Sequence, residues 1–142
     1  MINTKIYKAV YSLSEQLMKA ANSDDKVTFD RLYAELLAIC VDNEDTHKDH
    51  PEQWETLADF TADLEEAIAG YEKALVKAKA LNSKDHMSSI ALSMALLQID
   101  LGQTDAAITN LQNAKISSNK IEDKELKAEI HDRLEALLSG TY

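Results

Sequence analysis

The most unusual chemical feature of the sequence is a concentration of carboxylates in its first half. Between Asp42 and Glu66, ten acidic residues stand against one basic residue, Lys48, so this stretch carries −9 of the formal net charge of −10. Half of these acids recur every three or four residues, the spacing that aligns side chains on one face of a helix. They are Glu52, Glu55, Asp59, Asp63 and Glu66. We expect this acidic stripe to bind a basic partner, with a solvated face as the alternative.

Two histidines in the same region raise the question of a metal. His47 and His50 lie three residues apart among Glu44, Asp45 and Asp49, a composition that suits zinc or another divalent ion. No second ligand pair follows at a diagnostic spacing, and a di-iron bundle needs two Glu-x-x-His pairs where the sequence offers one. The sequence therefore predicts no metal and no cofactor.

Catalytic chemistry has little support in the sequence. There is no glycine-rich phosphate loop, and no Ser or Cys nucleophile with a histidine placed to activate it. His86 and His131 stand apart from other candidate groups. A sequence pI near 4.8 argues against nucleic acid and anionic membranes, because phosphate binding rests on clustered Lys and Arg. We predict that the protein is not an enzyme.

The elements that position these residues are predicted to be helices in a single all-α domain over 1–142. The 142 residues include only 3 Gly and 1 Pro, too few turn formers for a β-sandwich or barrel. Most of the remaining residues are strong helix formers. Apolar residues at helical spacing predict a hairpin over 2–42, a hairpin over 86–118 and a capping helix over 122–138.

The strongest periodic segment covers 51–81. Its apolar residues, from Trp54 to Ala78, alternate steps of three and four. Acids lie toward its start and lysines toward its end, which is the order that the helix dipole favours. One continuous helix satisfies this pattern. A hairpin with a break near Thr61, which could cap a new helix, is the alternative.

An internal repeat accompanies this periodicity. Ala67, Tyr71 and Ala74 align at an offset of 40 residues with Ala107, Leu111 and Ala114. Leu101-Gly102 precedes the second copy like a turn between paired helices. The pattern resembles the tetratricopeptide repeat, best over 88–121, partially over 51–81 and faintly over 11–39. The resemblance implies antiparallel hairpins in a short right-handed array of six or seven helices, with a plain helical bundle as the alternative.

The resemblance also implies a binding surface. In such arrays the first helices of the pairs line a concave face that binds an extended peptide or a partner helix. In the best-matching repeat this face would present Ser89, Leu92, Ser93, Leu96 and Asp100. Core positions are the alternative for the two leucines, because a helix that is apolar on almost all sides is normally buried.

These patterns together favour a non-catalytic protein–protein interaction module, adaptor or chaperone-like, that binds a protein segment. A structural homo-oligomer, formed by the apolar seam of the 51–81 helix, is the alternative. The single Cys40 and the lack of a signal-peptide apolar region predict a cytoplasmic location. No run approaches the roughly 20 apolar residues of a membrane span, so we expect neither a membrane nor a nucleic-acid partner.

Overall fold

The computed structural model describes residues 3–140, and this part of the chain contains helices and no strand. The helices are α1 (Thr4–Asn22), α2 (Lys26–Asn43), α3 (Pro51–Asp59), α4 (Leu64–Ala80), α5 (Lys84–Asp100), α6 (Thr104–Ser118) and α7 (Lys124–Ser139). The predicted all-α class is confirmed. The first residue of the hairpin predicted over 2–42 lies outside the described residues. Between residues 3 and 140 no helix combines the length and apolar character needed to span a membrane.

The helices are arranged in two layers. Each helix packs against the next one along the chain, and further contacts join α1 to α3, α3 to α5 and α5 to α7. Within residues 3–140, α2 and α4 do not approach each other in this way, and neither do α4 and α6. The odd-numbered helices therefore form an inner layer whose consecutive members touch, and the even-numbered helices lie behind them. The array consists of three successive hairpins and a terminal helix.

The continuous helix predicted over 51–81 is wrong, and the hairpin alternative is correct. Asp63 caps α4, because its Oδ1 accepts a hydrogen bond from the backbone N–H of Glu66 at 2.9 Å. The Thr61 hydroxyl donates to the carbonyl oxygen of Leu57 at 2.8 Å, an acceptor at the end of α3 that also receives the backbone N–H of Phe60 at 3.2 Å. Side-chain partners of this kind let two helix ends meet without Gly or Pro.

The break also removes the seam through which a homo-oligomer was predicted to form. Trp54 and Leu57 on α3 and Tyr71 on α4 are buried within the array, with 5%, 7% and 5% of their surfaces exposed. Because α3 folds back on α4, these side chains pack inside one chain. They are not available to a second copy.

Two clusters of buried apolar side chains hold the array together. The first extends from α1 to α5 and includes Leu17, Ile90 and Met94. The second joins α5, α6 and α7 and includes Leu92 and Ile130. Helix α5 contributes to both clusters, so it is buried on most of its circumference. This is the environment expected of a helix with an apolar surface almost all round.

Small residues let the paired helices approach closely. A Cβ atom added at Gly70 would lie 3.2 Å from the Cβ of Ala58, so α3 and α4 meet at this glycine. The four alanines that align in the repeat are buried, namely Ala67, Ala74, Ala107 and Ala114. The repeated alanines therefore mark the sites where the second helix of each pair packs against its neighbours.

One carboxylate ties the connection between α2 and α3 to the helices that follow. Asp49 Oδ1 accepts from the indole Nε1 of Trp54 at 2.8 Å. Its Oδ2 accepts from Lys77 Nζ at 2.6 Å and from the backbone N–H of Asp45 at 2.8 Å. Only 9% of the Asp49 side chain and 15% of the Lys77 side chain are exposed. Burial opposes ionisation of Asp49, but these hydrogen bonds outweigh it and hold its pKa below the usual value.

We expect Asp49→Ala to lower the free energy of unfolding by roughly 2–4 kcal/mol, because it removes three hydrogen bonds and leaves a largely buried lysine without its main partner. Urea denaturation followed by circular dichroism measures this loss. Asp42→Ala is the matched control, since Asp42 is exposed on α2 and should change stability by less than about 0.5 kcal/mol.

The comparison of the wild type with Asp49→Ala also tests the charge state of Asp49. A lowered pKa means that the ionised group stabilises the fold at neutral pH and that this contribution is lost as the pH falls through the folded-state pKa. The stability difference between wild type and Asp49→Ala should therefore be constant near neutrality and shrink below the ordinary pKa of 3.8. A difference that persists unchanged into strong acid would contradict the assignment.

Candidate functional site

A crevice of about 370 Å³ lies between α3, α5 and the start of α7, on the inner layer. Five of its nine lining residues are carboxylates, and none of the nine is Lys or Arg. The carboxylates are Glu52, Glu55, Asp59, Asp85 and Asp123. The crevice is therefore a concentrated source of negative potential, and it favours positively charged ligands.

A wider groove of about 700 Å³ continues from the crevice between α1 and α3. Tyr11, Met18 and Phe60 line it with apolar surface. Tyr11 is 58% exposed and Met18 is 54% exposed. Thr56 and Asp59 line both depressions, which makes them one continuous surface with an acidic half and an apolar half.

Glu55 connects α3 to α5 at the bottom of the crevice. Its Oε1 lies 3.2 Å from His86 Nδ1, and its Oε2 accepts a hydrogen bond from Ser89 Oγ at 2.7 Å. The Glu55 side chain is only 12% exposed. The pKa of His86 is raised, chiefly by this hydrogen bond and against the effect of burial. Glu55 is thus a fixed acceptor for two groups on the neighbouring hairpin.

Asp59 and Tyr71 form a second polar contact at the crevice wall. The Tyr71 hydroxyl donates to Asp59 Oδ1 at 2.5 Å. Asp59 is exposed at the end of α3, but loss of hydration at its carboxyl group beside the packed helices raises its pKa to about 6. The Tyr71 hydrogen bond partly offsets this, and the negative charge of Glu55 adds to it. Burial and the neighbouring Asp59 likewise raise the pKa of Tyr71, while Ser93 interacts with the same hydroxyl and acts in the opposite direction.

His50 lies beside His86 behind this crevice. It is the N-cap of α3, where its Nδ1 accepts from the backbone N–H of Glu52 at 3.1 Å. The two imidazole rings meet edge to face with centroids 5.2 Å apart. One ring nitrogen of each histidine and one carboxylate oxygen of Glu52 lie within 4.8 Å of one another. Burial, with the neighbouring His86 adding to it, lowers the pKa of His50 to about 4.

The structure divides the predicted acidic stripe in two. Glu52, Glu55 and Asp59 line the crevice, but Asp63 and Glu66 belong to the exposed start of α4. The prediction of a single stripe is wrong, because the helix that would carry it ends before Asp63.

The residues predicted on α5 also separate. Ser89 lines the crevice and Ser93 lies at Tyr71. Leu92 is buried in the second apolar cluster and Leu96 packs against it, so the core interpretation is confirmed for Leu92. Asp100 is exposed as the last residue of α5, away from the crevice.

The spacing in the sequence pairs His47 with His50, but the fold places His50 beside His86 instead. His47 is exposed in the connection between α2 and α3, and its three acidic neighbours bind lysines instead. Glu44 pairs with Lys73, and both Asp45 and Asp49 pair with Lys77. His86 stands apart from other candidate groups in the sequence, and only the packing of α5 against α3 places it beside His50.

Comparison of the chain with known protein families, with curated proteins and with solved structures gives no match. The resemblance to the tetratricopeptide repeat therefore stays a prediction from the sequence. The layered packing of the helices and the geometry of the crevice stand on the structure alone.

The raised pKa of Asp59 leads to a pH-dependence that opposes that of Asp49. Between the ordinary value of 3.8 and the folded-state value of about 6, the folded chain holds a proton at Asp59 more tightly than the unfolded chain does. The contribution of Asp59 to the free energy of unfolding therefore falls as the pH rises through that window. We expect Asp59→Asn, whose amide oxygen still accepts from Tyr71, to abolish this decline in urea denaturation. Asp132→Asn, an exposed change on α7, should retain it, and equal pH profiles for the two variants would refute the assignment.

Proposed function

We propose that the protein is a non-catalytic interaction module that binds a basic segment of a partner protein along its inner layer. The observation that carries this proposal is the crevice itself, where carboxylates converge without a lining Lys or Arg and continue into an exposed apolar groove. An adaptor or a chaperone-like protein would use such a surface. The cellular partner would be recognised by its charge and by its apolar side chains.

The two halves of the surface suit the two parts of a basic side chain. The aliphatic stem of Lys or Arg packs favourably on apolar surface while its charged head seeks a carboxylate. Tyr11 and Met18 offer the apolar surface, and Asp59 lies at the junction with the acidic half. A partner segment that lies across α1 and α3 would satisfy both, and the net charge of −10 would speed its approach.

The crevice acids differ in what they gain from an incoming cation. Glu55 already has His86 and Ser89 as partners. Burial raises the pKa of Glu52, partly offset by His86, and loss of hydration raises that of Asp59. A carboxylate whose ionised form is disfavoured in the free protein is stabilised strongly by an added positive charge. Glu52 and Asp59 are therefore the acids that we expect to contribute most to binding.

The arrangement of Ser89, Glu55 and His86 supports a binding role over a catalytic one. In a serine hydrolase the histidine accepts the proton of the serine hydroxyl and the acid orients the histidine. Here the Ser89 hydroxyl donates to Glu55 at 2.7 Å. Both side chains thus converge on the carboxylate, so the imidazole is not placed to activate the serine.

We expect the double variant Glu52→Gln/Asp59→Asn to weaken binding of Lys- and Arg-rich peptides about tenfold, or about 1.4 kcal/mol, because two charge pairs are lost. Fluorescence anisotropy over a panel of basic peptides, with the metal chelator EDTA present throughout, measures the affinity. The matched control Glu72→Gln/Glu135→Gln removes the same charge at exposed sites on α4 and α7 and should leave the affinity nearly unchanged.

Two outcomes would argue against the proposal. One is equal weakening in both double variants, which would show that only overall charge matters. The other is peptide binding that leaves the backbone amide signals of α1 and α3 unperturbed in NMR spectra. Light scattering on the free protein checks the alternative of a homo-oligomer.

A further inference from the structure

Three side chains at the back of the crevice carry the donor set of a transition-metal site. One nitrogen of His50, one of His86 and one carboxylate oxygen of Glu52 lie within 4.8 Å of one another. Two imidazoles and a carboxylate suit zinc and related divalent ions, whereas calcium and magnesium prefer sets made of oxygen alone. We propose that His50, Glu52 and His86 bind one divalent ion of the zinc class. This proposal does not rest on the peptide-binding function, although Glu52 belongs to both sites.

The spacing is close to what a metal requires. Zinc bonds of about 2.0–2.2 Å place the ligand atoms of a tetrahedral site about 3.4 Å apart. Each of the three atoms needs to move inward by about 1 Å at most, which small rotations of the Glu52 side chain and of the two imidazole rings can supply. Glu52 and His86 both line the open crevice, so an ion can enter from solvent and keep a water molecule as its fourth ligand.

Glu55 acts as a positioning residue for this site. Histidines that bind metals usually donate their other ring N–H to a carboxylate, which fixes the ring and makes the ligating nitrogen more basic. His86 has this partner, since its Nδ1 lies 3.2 Å from Glu55 Oε1. The nitrogen left for the metal is Nε2. Ser89 holds the other oxygen of Glu55 at 2.7 Å, so the orienting carboxylate is itself fixed.

His50 must lose its cap hydrogen bond to take part. Its Nδ1 accepts from the backbone N–H of Glu52 at 3.1 Å, so in the neutral ring the proton resides on Nε2. Ligation through Nε2 transfers that proton to Nδ1 by way of solvent, and ligation through Nδ1 occupies the lone pair that accepts the amide proton. Either one breaks the cap hydrogen bond. Metal binding should therefore expose the Glu52 amide proton to faster exchange, which a surface-bound ion would not do.

The first test is calorimetric titration of the full chain with zinc sulfate in a buffer that does not bind metals. We expect one ion per chain, with binding weakened at least tenfold in His86→Ala and unchanged in His47→Ala, which removes an exposed histidine outside the cluster. Magnesium sulfate should give no such binding. The proposal is overturned if zinc does not bind, or if the two histidine variants lose affinity equally.

A second variant covers the case in which His86→Ala does not fold. Glu55→Gln keeps the size of the orienting side chain and should weaken zinc binding about 10- to 100-fold, as changes to orienting partners typically do. In the wild type, zinc should accelerate hydrogen exchange at the Glu52 amide. An unchanged exchange rate with zinc bound would overturn the proposed ligation. Asp59→Asn should leave zinc binding intact, which separates this site from the peptide-binding function.

Discussion

The position of α3, and with it the crevice, depends on the buried carboxylate of Asp49. A charged group with so little exposure remains ionised only where hydrogen-bond donors surround it. Here the donors come from three places, the preceding loop, Trp54 on α3 and Lys77 on α4. A conformation that separates any of these elements leaves the carboxylate or the lysine without its partner. The connection between α2 and α3, the longest polar stretch of the chain, is therefore held in one conformation. This conformation places His50 at the start of α3.

The break between α3 and α4 then decides which acids face the crevice. Asp59 is the last residue of α3, and its carboxylate accepts a hydrogen bond from the hydroxyl of Tyr71 on α4. Asp63 turns away to cap α4. Two carboxylates four residues apart thus acquire different surroundings, and only the first becomes part of the inner layer. The close contact between Gly70 and Ala58 sets the distance between α3 and α4. The position of Asp59 in the crevice wall therefore depends on how this hairpin packs.

The sequence predicted the fold well wherever the apolar spacing was interrupted by a polar turn. Clusters such as Asn22 to Asp25 separate one amphipathic stretch from the next, and the helices begin and end there. The spacing of three and four continues unbroken across Thr61, so periodicity could not reveal the turn. Thr61 is the cap that the sequence suggests, but Asp63 caps α4 instead, and an aspartate is equally common on an exposed helical surface. The contact between His50 and His86 could not be predicted from the sequence for a different reason. It depends on how two hairpins pack against each other.

The layered arrangement also has a kinetic consequence. Within the described part of the chain, residues 3–140, each helix contacts its neighbours along the chain or, in the inner layer, the next helix but one, and no others. Contacts between segments that are close in the sequence require little loop-closure entropy, and chains dominated by them have low contact order and fold fast. Each hairpin can begin to form without waiting for a distant segment. Helix α5, which contributes to both apolar clusters, is then the element whose docking makes the folding of the two ends of the chain cooperative.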